Sequence, residues 1–496
     1  MNSRRLPAAL TAAALLLCIA LLALREWPRE AWFGGDTWEY HSMGVNFARG
    51  HGLVAGLREP LDDYHFGNPT AAQRMMEQFG ETGRDPKSYH TYRTPAYPLF
   101  LGIVYRLTSP LPERAAQAQV CLLVLMAFAL PLAGRWAAGR PGLWAGALAG
   151  VGLLATGWEM AIGLMTEPLI VLHLFLCFLA FHAARHTRST TRLVLWGLAA
   201  GVAPLVKGSM VFLPGLAFLL EVLQWHRHRD RRVLPQLAFL AALGLPLVLW
   251  SAYISRVEGR PVFLSTQGNS VLLEGNNELV LLDGAWHPEY AHPQPFWATD
   301  GRDTSGLYYN QPDVRVKSIP AQLAGFFARH WKDAPRLFLN KFNRAFERFP
   351  PFKVLVVTVL WLALAALLRL PPGAAAKRLG LLGLLLGCGF ALRFIHPSFA
   401  EIGVWVAAAT PVAALAAWKR GLRLPLDPFT IIAFVNFTLI TLMTFGLRRF
   451  VQVLDPLLLY TTGLVVLHAA ALTFSNKQGE GRQECRPSPR PLSPVP

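Results

Sequence analysis

The sequence predicts an all-α polytopic membrane protein: roughly twelve transmembrane helices, with outer-face juxtamembrane helices and a mixed outer loop region. Three observations predict it. Of the 496 residues, 53% are hydrophobic and 16% charged, and the mean hydropathy is +0.34, whereas a soluble chain carries about a quarter charged residues. The apolar residues are clumped into nearly uncharged runs at 6–24, 169–184, 233–250, 354–368 and 456–474. A run of about 20 such residues crosses a bilayer as a helix, because lipid gives its backbone no other partner. Finally, every second connector between the runs is short and basic.

With the N-terminus inside, the inward connectors carry Arg135 and Arg140; Arg185, Arg188 and Arg192; Arg227, Arg229, Arg231 and Arg232; Arg369, Lys377 and Arg378; and Lys419, Arg420 and Arg423. Lys and Arg retain a short loop on the cytoplasmic side, so one orientation fits and its inverse does not. Two long polar segments, 26–93 and 251–350, then fall outside, with short outer turns near 160–168, 205–209, 393–401 and 447–456. The spans on either side of Lys207 are short. Within the second outer segment, Phe326, Phe327, Trp331, Leu337, Phe338, Phe342 and Phe346 are interleaved with cations. That pattern predicts an amphipathic helix over 329–348 at headgroup level. The tail 476–496, rich in Pro, Arg and Ser, reads as disordered and cytoplasmic.

A net charge of +17 would suggest nucleic acid in a soluble protein, but here the positive-inside connectors explain it, so no nucleic-acid partner is expected. Cys18, Cys121, Cys177 and Cys388 lie in apolar runs and Cys485 in the tail, which provides neither an external disulfide nor metal-ligand spacing. The first apolar run has no small-residue cleavage site before Arg25 and reads as an uncleaved span.

The chemical signal is strongest in the first outer segment. Asp36 opens a helix-like stretch that ends near Gly50-His51-Gly52. Asp is a favoured N-cap, Gly50 can close a helix in the left-handed conformation, and Tyr40, Met43 and Phe47 form an apolar stripe expected to face the membrane. Helix formation accounts for this stretch but not for the polar cluster that follows it. There Tyr89-His90-Thr91-Tyr92-Arg93-Thr94-Pro95-Ala96-Tyr97-Pro98 leads into the next expected span, at 99–105.

Asp36-x-x-x-Tyr40 with Gly50-His51-Gly52, then Arg93-Thr94-Pro95-x-Tyr97-Pro98-Leu99-Phe100, resembles the multi-spanning GT-C glycosyltransferases, nearest the protein O-mannosyltransferase and aminoarabinose transferase group. The resemblance continues through Thr166-Glu167-Pro168, Val206-Lys207-Gly208, Gly275-Asn276-Asn277, and Arg448-Arg449-Phe450 to Asp455-Pro456. It implies that residues 1–475 form one GT-C-like membrane domain at the inner (plasma) membrane, with its chemistry on the periplasmic or exoplasmic face. It also implies a polyprenyl-phosphate-linked sugar as co-substrate, membrane lipids as surroundings, and a lipid, glycan or protein acceptor.

Such a transfer needs a carboxylate near the attacking group and cations for the phosphate, whose charge grows as it leaves. By matching positions, the resemblance implies Asp36 as the catalytic carboxylate. Parts of the family carry an acidic residue directly after it; here Thr37 stands there and Glu39 lies further on, so Glu39 and Glu167 are additional catalytic candidates. Arg93 stands where aminoarabinose transferases carry a phosphate-handling Lys, and its planar fork suits that role. Lys207, Arg448 and Arg449 are the other phosphate candidates, and Tyr40, His90 and Tyr97 the substrate-binding ones.

Each has a plain structural alternative. Glu167 before Pro168 is a good helix start; Lys207 at a span end can snorkel; Arg448 and Arg449 can anchor to headgroups. A divalent metal remains open, with no ligand set standing out. The rival class is a membrane transporter or lipid-sugar flippase, and a polysaccharide ligase or polymerase is a third reading. Long outer segments, no internal repeat and no charge relay through the spans count against transport.

Overall fold

The computed structural model describes residues 37–53, 93–187, 189–228, 233–259, 261–265, 272, 275–276, 281, 319–345, 427–444, 452–464 and 467. The expected spans at 6–24 and 354–368, most of the first outer segment and the tail lie outside the described residues. All regular elements among those described are helices: α1 (Thr37–Ala48), α2 (Ala96–Leu107), α3 (Pro112–Ile162), α4 (Glu167–Thr187), α5 (Thr190–Val206), α6 (Leu213–His228), α7 (Val233–Glu258), α8 (Ile319–Arg329), α9 (Ala334–Ala345) and α10 (Pro428–Met443), with a 3-10 turn at Gly208–Met210 before α6. Among the described residues, four stretches are long and apolar enough to cross a membrane: Pro112–Leu154, Glu167–Thr187, Gly208–His226 and Val233–Val257. The chain is a multi-pass helical membrane protein.

Its contacts divide into two compact units, one of Met1–Leu130, Gly150–Glu347 and Pro428–Pro456, the other of Pro131–Ala149, Arg348–Asp427 and Leu457–Pro496. In the first unit α5 is central, packed by α4 and α7, while α10 packs on α6, α9 and the 3-10 turn.

The 51 residues of α3 are two helices joined at a break. Ala138 and Gly139 leave helical geometry, Gly139 at φ 66°, a left-handed conformation that favours glycine. A Cβ on Gly134 would strike the backbone of Gly142, and one on Gly142 would strike that of Gly134, so the two arms meet backbone to backbone. Small residues permit such approach between membrane helices. Arg135 and Arg140 flank this break. The next basic connectors also fall at helix ends, Arg185 to Arg192 between α4 and α5 and Arg227 to Arg232 between α6 and α7.

Two expectations are corrected. The apolar segment 99–105 is not a span: α2 is 12 residues long, about 18 Å of helix and too short for the bilayer core. The chain turns at Thr108–Leu111, and Tyr97 meets Gln119 on the first arm of α3, so α2 doubles back on α3 and that arm is the span. The basic stretch 329–348 is not one helix either. It breaks between α8 and α9, where Asp333 precedes α9 and Pro335 sits in its first turn, positions both residues favour at a helix start.

Nor does α9 simply present its cations to headgroups. Lys341 is fully buried; its Nζ donates to Asn276 Oδ1 at 2.7 Å and to the Leu442 carbonyl at 2.8 Å. Asn276 Nδ2 in turn donates to the carbonyls of Leu272 and Met443. The last carbonyls of a helix lack intrahelical donors, and Asn276 and Lys341, from the long polar segment 251–350, supply them at the end of α10.

Candidate active site

The site is built at the ends of α2, α4 and α5, on a platform formed by α1. Helix α1 ends in a Schellman closure: Gly50 at φ 85°, with Gly50 N–H donating to Phe47 O and His51 N–H to Asn46 O. The stripe expected to face lipid instead faces α2. Tyr40 and Met43 are buried, and Gly44 and Gly102 bring the two backbones together. A Cβ on Gly44 would lie 2.7 Å from Leu101 Cβ, and one on Gly102 2.5 Å from Phe47 Cδ1. A short helix paired with a second short helix buries its apolar side against protein, which sequence periodicity alone cannot distinguish from lipid.

That pairing sets Glu39 against Arg93. Glu39 Oε2 accepts from Arg93 Nε at 2.5 Å, both side chains being nearly inaccessible to solvent. The Arg93 guanidinium also lies over the Tyr40 ring, 5.2 Å from its centroid. Tyr40 meets Tyr97 edge to face at 5.0 Å. The Tyr97 hydroxyl donates to Gln119 Oε1 at 2.6 Å, and Gln119 Nε2 donates to the carbonyls of Ala161 and Gly163 at the far end of α3. Gln119 thereby fixes the turn that leads into Thr166 and Glu167.

Lys207 enters from the other side. It stands in extended backbone between α5 and the 3-10 turn, and its Nζ donates to Thr166 Oγ1 at 2.6 Å. Thr166 Oγ1 donates in turn to Glu167 Oε2 over a long 3.5 Å. Thr94, next to Arg93, donates to the Val206 carbonyl at 3.3 Å, next to Lys207. Glu167 is buried and within electrostatic reach of the Tyr97 phenol. Beneath the ion pair, the Tyr105 hydroxyl lies 2.8 Å from His41 Nδ1. Burial pushes the His41 imidazole down to about 3, so it is neutral at physiological pH and adds no charge near the site.

Of the sequence-derived candidates, Glu39, Tyr40, Arg93, Tyr97, Glu167 and Lys207 are therefore gathered into one connected cluster. Asp36, His90, Arg448 and Arg449 lie outside the described residues; Asp36 immediately precedes Thr37, the first residue of α1. Sequence reasoning passed over Gln119, His41, Asn436 and Lys341. The available signal was polarity in an apolar context, since a Gln or Asn inside a membrane helix needs a partner. Among the described residues, no group of three or more His, Cys, Asp or Glu is placed to hold a metal ion.

Comparison with solved structures finds likeness to ArnT from Cupriavidus metallidurans. The crystal structure of that protein bound to undecaprenyl phosphate is similar to this chain at a TM-score of 0.37 and 17% identity, covering 91% of this chain and 78% of that one. Its structure in the apo state gives a TM-score of 0.36 and 16% identity over the same shares. No protein-family model matches the chain, and no curated protein does.

Proposed function

We propose that this chain is a glycosyltransferase of the GT-C type. It moves a sugar from a polyprenyl-phosphate-linked donor to a lipid, polysaccharide or protein acceptor at the periplasmic face of the inner membrane. The observation that carries the reading is the gathering of Arg93, Lys207 and Glu167, at the ends of three apolar helices, with Glu39 of α1 in one mostly buried cluster. Charges are costly at such positions and mark chemistry in membrane proteins. The motif resemblance says which chemistry.

In this reading an acceptor oxygen attacks the anomeric carbon of the donor sugar. The bond from that carbon to the phosphate oxygen breaks, its electron pair leaves with the polyprenyl phosphate, and the acceptor proton passes to a carboxylate. Asp36 is the residue we assign to the proton. Arg93 and Lys207 meet the charge growing on the phosphate, with Arg448 and Arg449 assigned to the same group. Glu39, committed to Arg93 Nε, aims the guanidinium. Glu167, bridged to Lys207 through Thr166, does the same for the ammonium. Tyr40, Tyr97 and His90 are assigned to the sugar, and the donor is the co-substrate.

The test is direct. Purified protein in detergent, given a labelled undecaprenyl-phosphate sugar and an acceptor membrane extract, releases free undecaprenyl phosphate and moves label to the acceptor. A transporter or flippase leaves the donor intact. Asp36→Asn abolishes release while expression and insertion persist, and Arg93→Ala lowers it by about two to three orders of magnitude. Wild-type turnover in Asp36→Asn removes that residue from the role.

A further inference from the structure

We infer that Asn436, in the middle of α10, is a positioning residue for Lys207. The inference rests on the phosphate role proposed for that lysine and adds to it a residue with no place in the motifs.

Asn436 is fully buried in a 16-residue helix of otherwise apolar character. A carboxamide there costs free energy unless both its ends are hydrogen-bonded. Both are, and to one target. Its Oδ1 accepts from the Phe212 backbone N–H at 3.1 Å, and its Nδ2 donates to the Ser209 carbonyl at 3.0 Å. Ser209 and Phe212 belong to the short segment that carries the chain from Lys207 into α6. The Ser209 carbonyl and the Phe212 N–H lie near helix ends, where intrahelical partners are missing, and Asn436 supplies a partner to each. A single side chain of α10 therefore closes the turn.

The direction in which Lys207 projects follows from that turn. Val206 upstream is held by Thr94. Downstream, Met210 N–H donates to the Lys207 carbonyl at 2.9 Å and Val211 N–H to that of Gly208. Asn436 grips the segment just beyond. With the backbone held on both sides in this way, the Lys207 ammonium is delivered to Thr166 beside Glu167. Without Asn436 the downstream half of the turn loses this side-chain tether, and the lysine is free to swing toward the headgroup region as an ordinary snorkelling residue.

The residue therefore acts through Lys207, and two measurements on the full-length protein in detergent separate this from a merely structural part. The first reads position without activity: labelling of lysines by a water-soluble acid anhydride, located by mass spectrometry. In Asn436→Ala and in the isosteric Asn436→Asp, Lys207 labels about tenfold faster than in wild type, while labelling of Lys332, exposed on the outer loop, is unchanged. The second reads coupling: undecaprenyl-phosphate-sugar turnover in a cycle of Asn436→Ala and Lys207→Ala. Asn436→Ala lowers kcat about tenfold alone, but less than twofold once Lys207 is already alanine.

Unchanged Lys207 labelling in both variants overturns the inference, as does an equal loss of turnover in the presence and absence of Lys207. If labelling rises while turnover stays at the wild-type level, the positioning stands and the phosphate role of Lys207 fails.

Discussion

At the scale of single residues, the ion pair of Glu39 and Arg93 has the sharpest energetic consequence. Both partners are buried, so removing one leaves a desolvated charge. Glu39→Ala is expected to destabilise the protein by about 3–5 kcal/mol, with Glu39→Gln costing less because it retains an acceptor oxygen for Arg93 Nε. Chemical unfolding in detergent measures both. Equal stability of the alanine variant and wild type would show that water reaches the guanidinium. Lys207 and Glu167 were legible in the sequence because each stands against apolar runs where a charge needs a reason, and Arg93 because of the Thr94-Pro95-x-Tyr97-Pro98 motif that follows it. Their partners were less so. Gln119 and Asn436 look like tolerated polar residues until the fold shows which backbone groups they satisfy, and those groups lie far along the chain, at Ala161 and Gly163 for one and Ser209 and Phe212 for the other.

At the scale of elements, the pairing of α1 with α2 fixes the relation of Glu39 to Arg93. Gly102→Val forces a branched side chain into the space of Phe47. The expected loss is about 1–3 kcal/mol of stability, with turnover falling further than folding because the ion pair is misaligned; comparing the two at a temperature where the variant remains folded checks this. The position of α1 against protein rather than lipid was not readable from its period, because an apolar stripe is the same stripe against either neighbour. The end of α1 was readable, since Gly50 is a local signal with a local cause. Helix α9 makes a second prediction. Burial lowers the Lys341 amine from its ordinary 10.5 to about 7, and a neutral amine has two N–H donors for the two oxygens it meets. Between about pH 7 and 10.5 the folded state binds fewer protons than the unfolded, so stability from this group is full above the upper value and is lost as pH falls toward the lower. The difference in unfolding midpoint between wild type and Lys341→Met should therefore grow in favour of wild type from pH 7 to 10 and be flat below 7. A constant difference would show that Lys341 stays charged in the fold.

For the whole molecule, the basic connectors at the break of α3, between α4 and α5 and between α6 and α7 alternate with the turns bearing Glu167 and Lys207. The sequence orientation places the first set in the cytoplasm. In spheroplasts of a host with its own cysteines excluded, a membrane-impermeant thiol reagent should label Gly208→Cys and leave Arg140→Cys untouched; the opposite pattern inverts the orientation and ends the case for periplasmic chemistry. Alternation of charge made this order legible, whereas span lengths misled at 99–105 because a 12-residue apolar helix looks like the start of a span until its turn is seen.

The capping of α10 by Asn276 and Lys341 also bears on modularity. Carbonyls of Leu442 and Met443 take their donors from a stretch of chain lying more than a hundred residues upstream, so the long polar segment 251–350 is not a detachable domain. Transplanting it into a homologous scaffold, or excising it for soluble expression, strips the helix of its terminal donors and strands a buried amine. A chimaera that respects the fold has to move 275–345 together with 428–444 as one cassette.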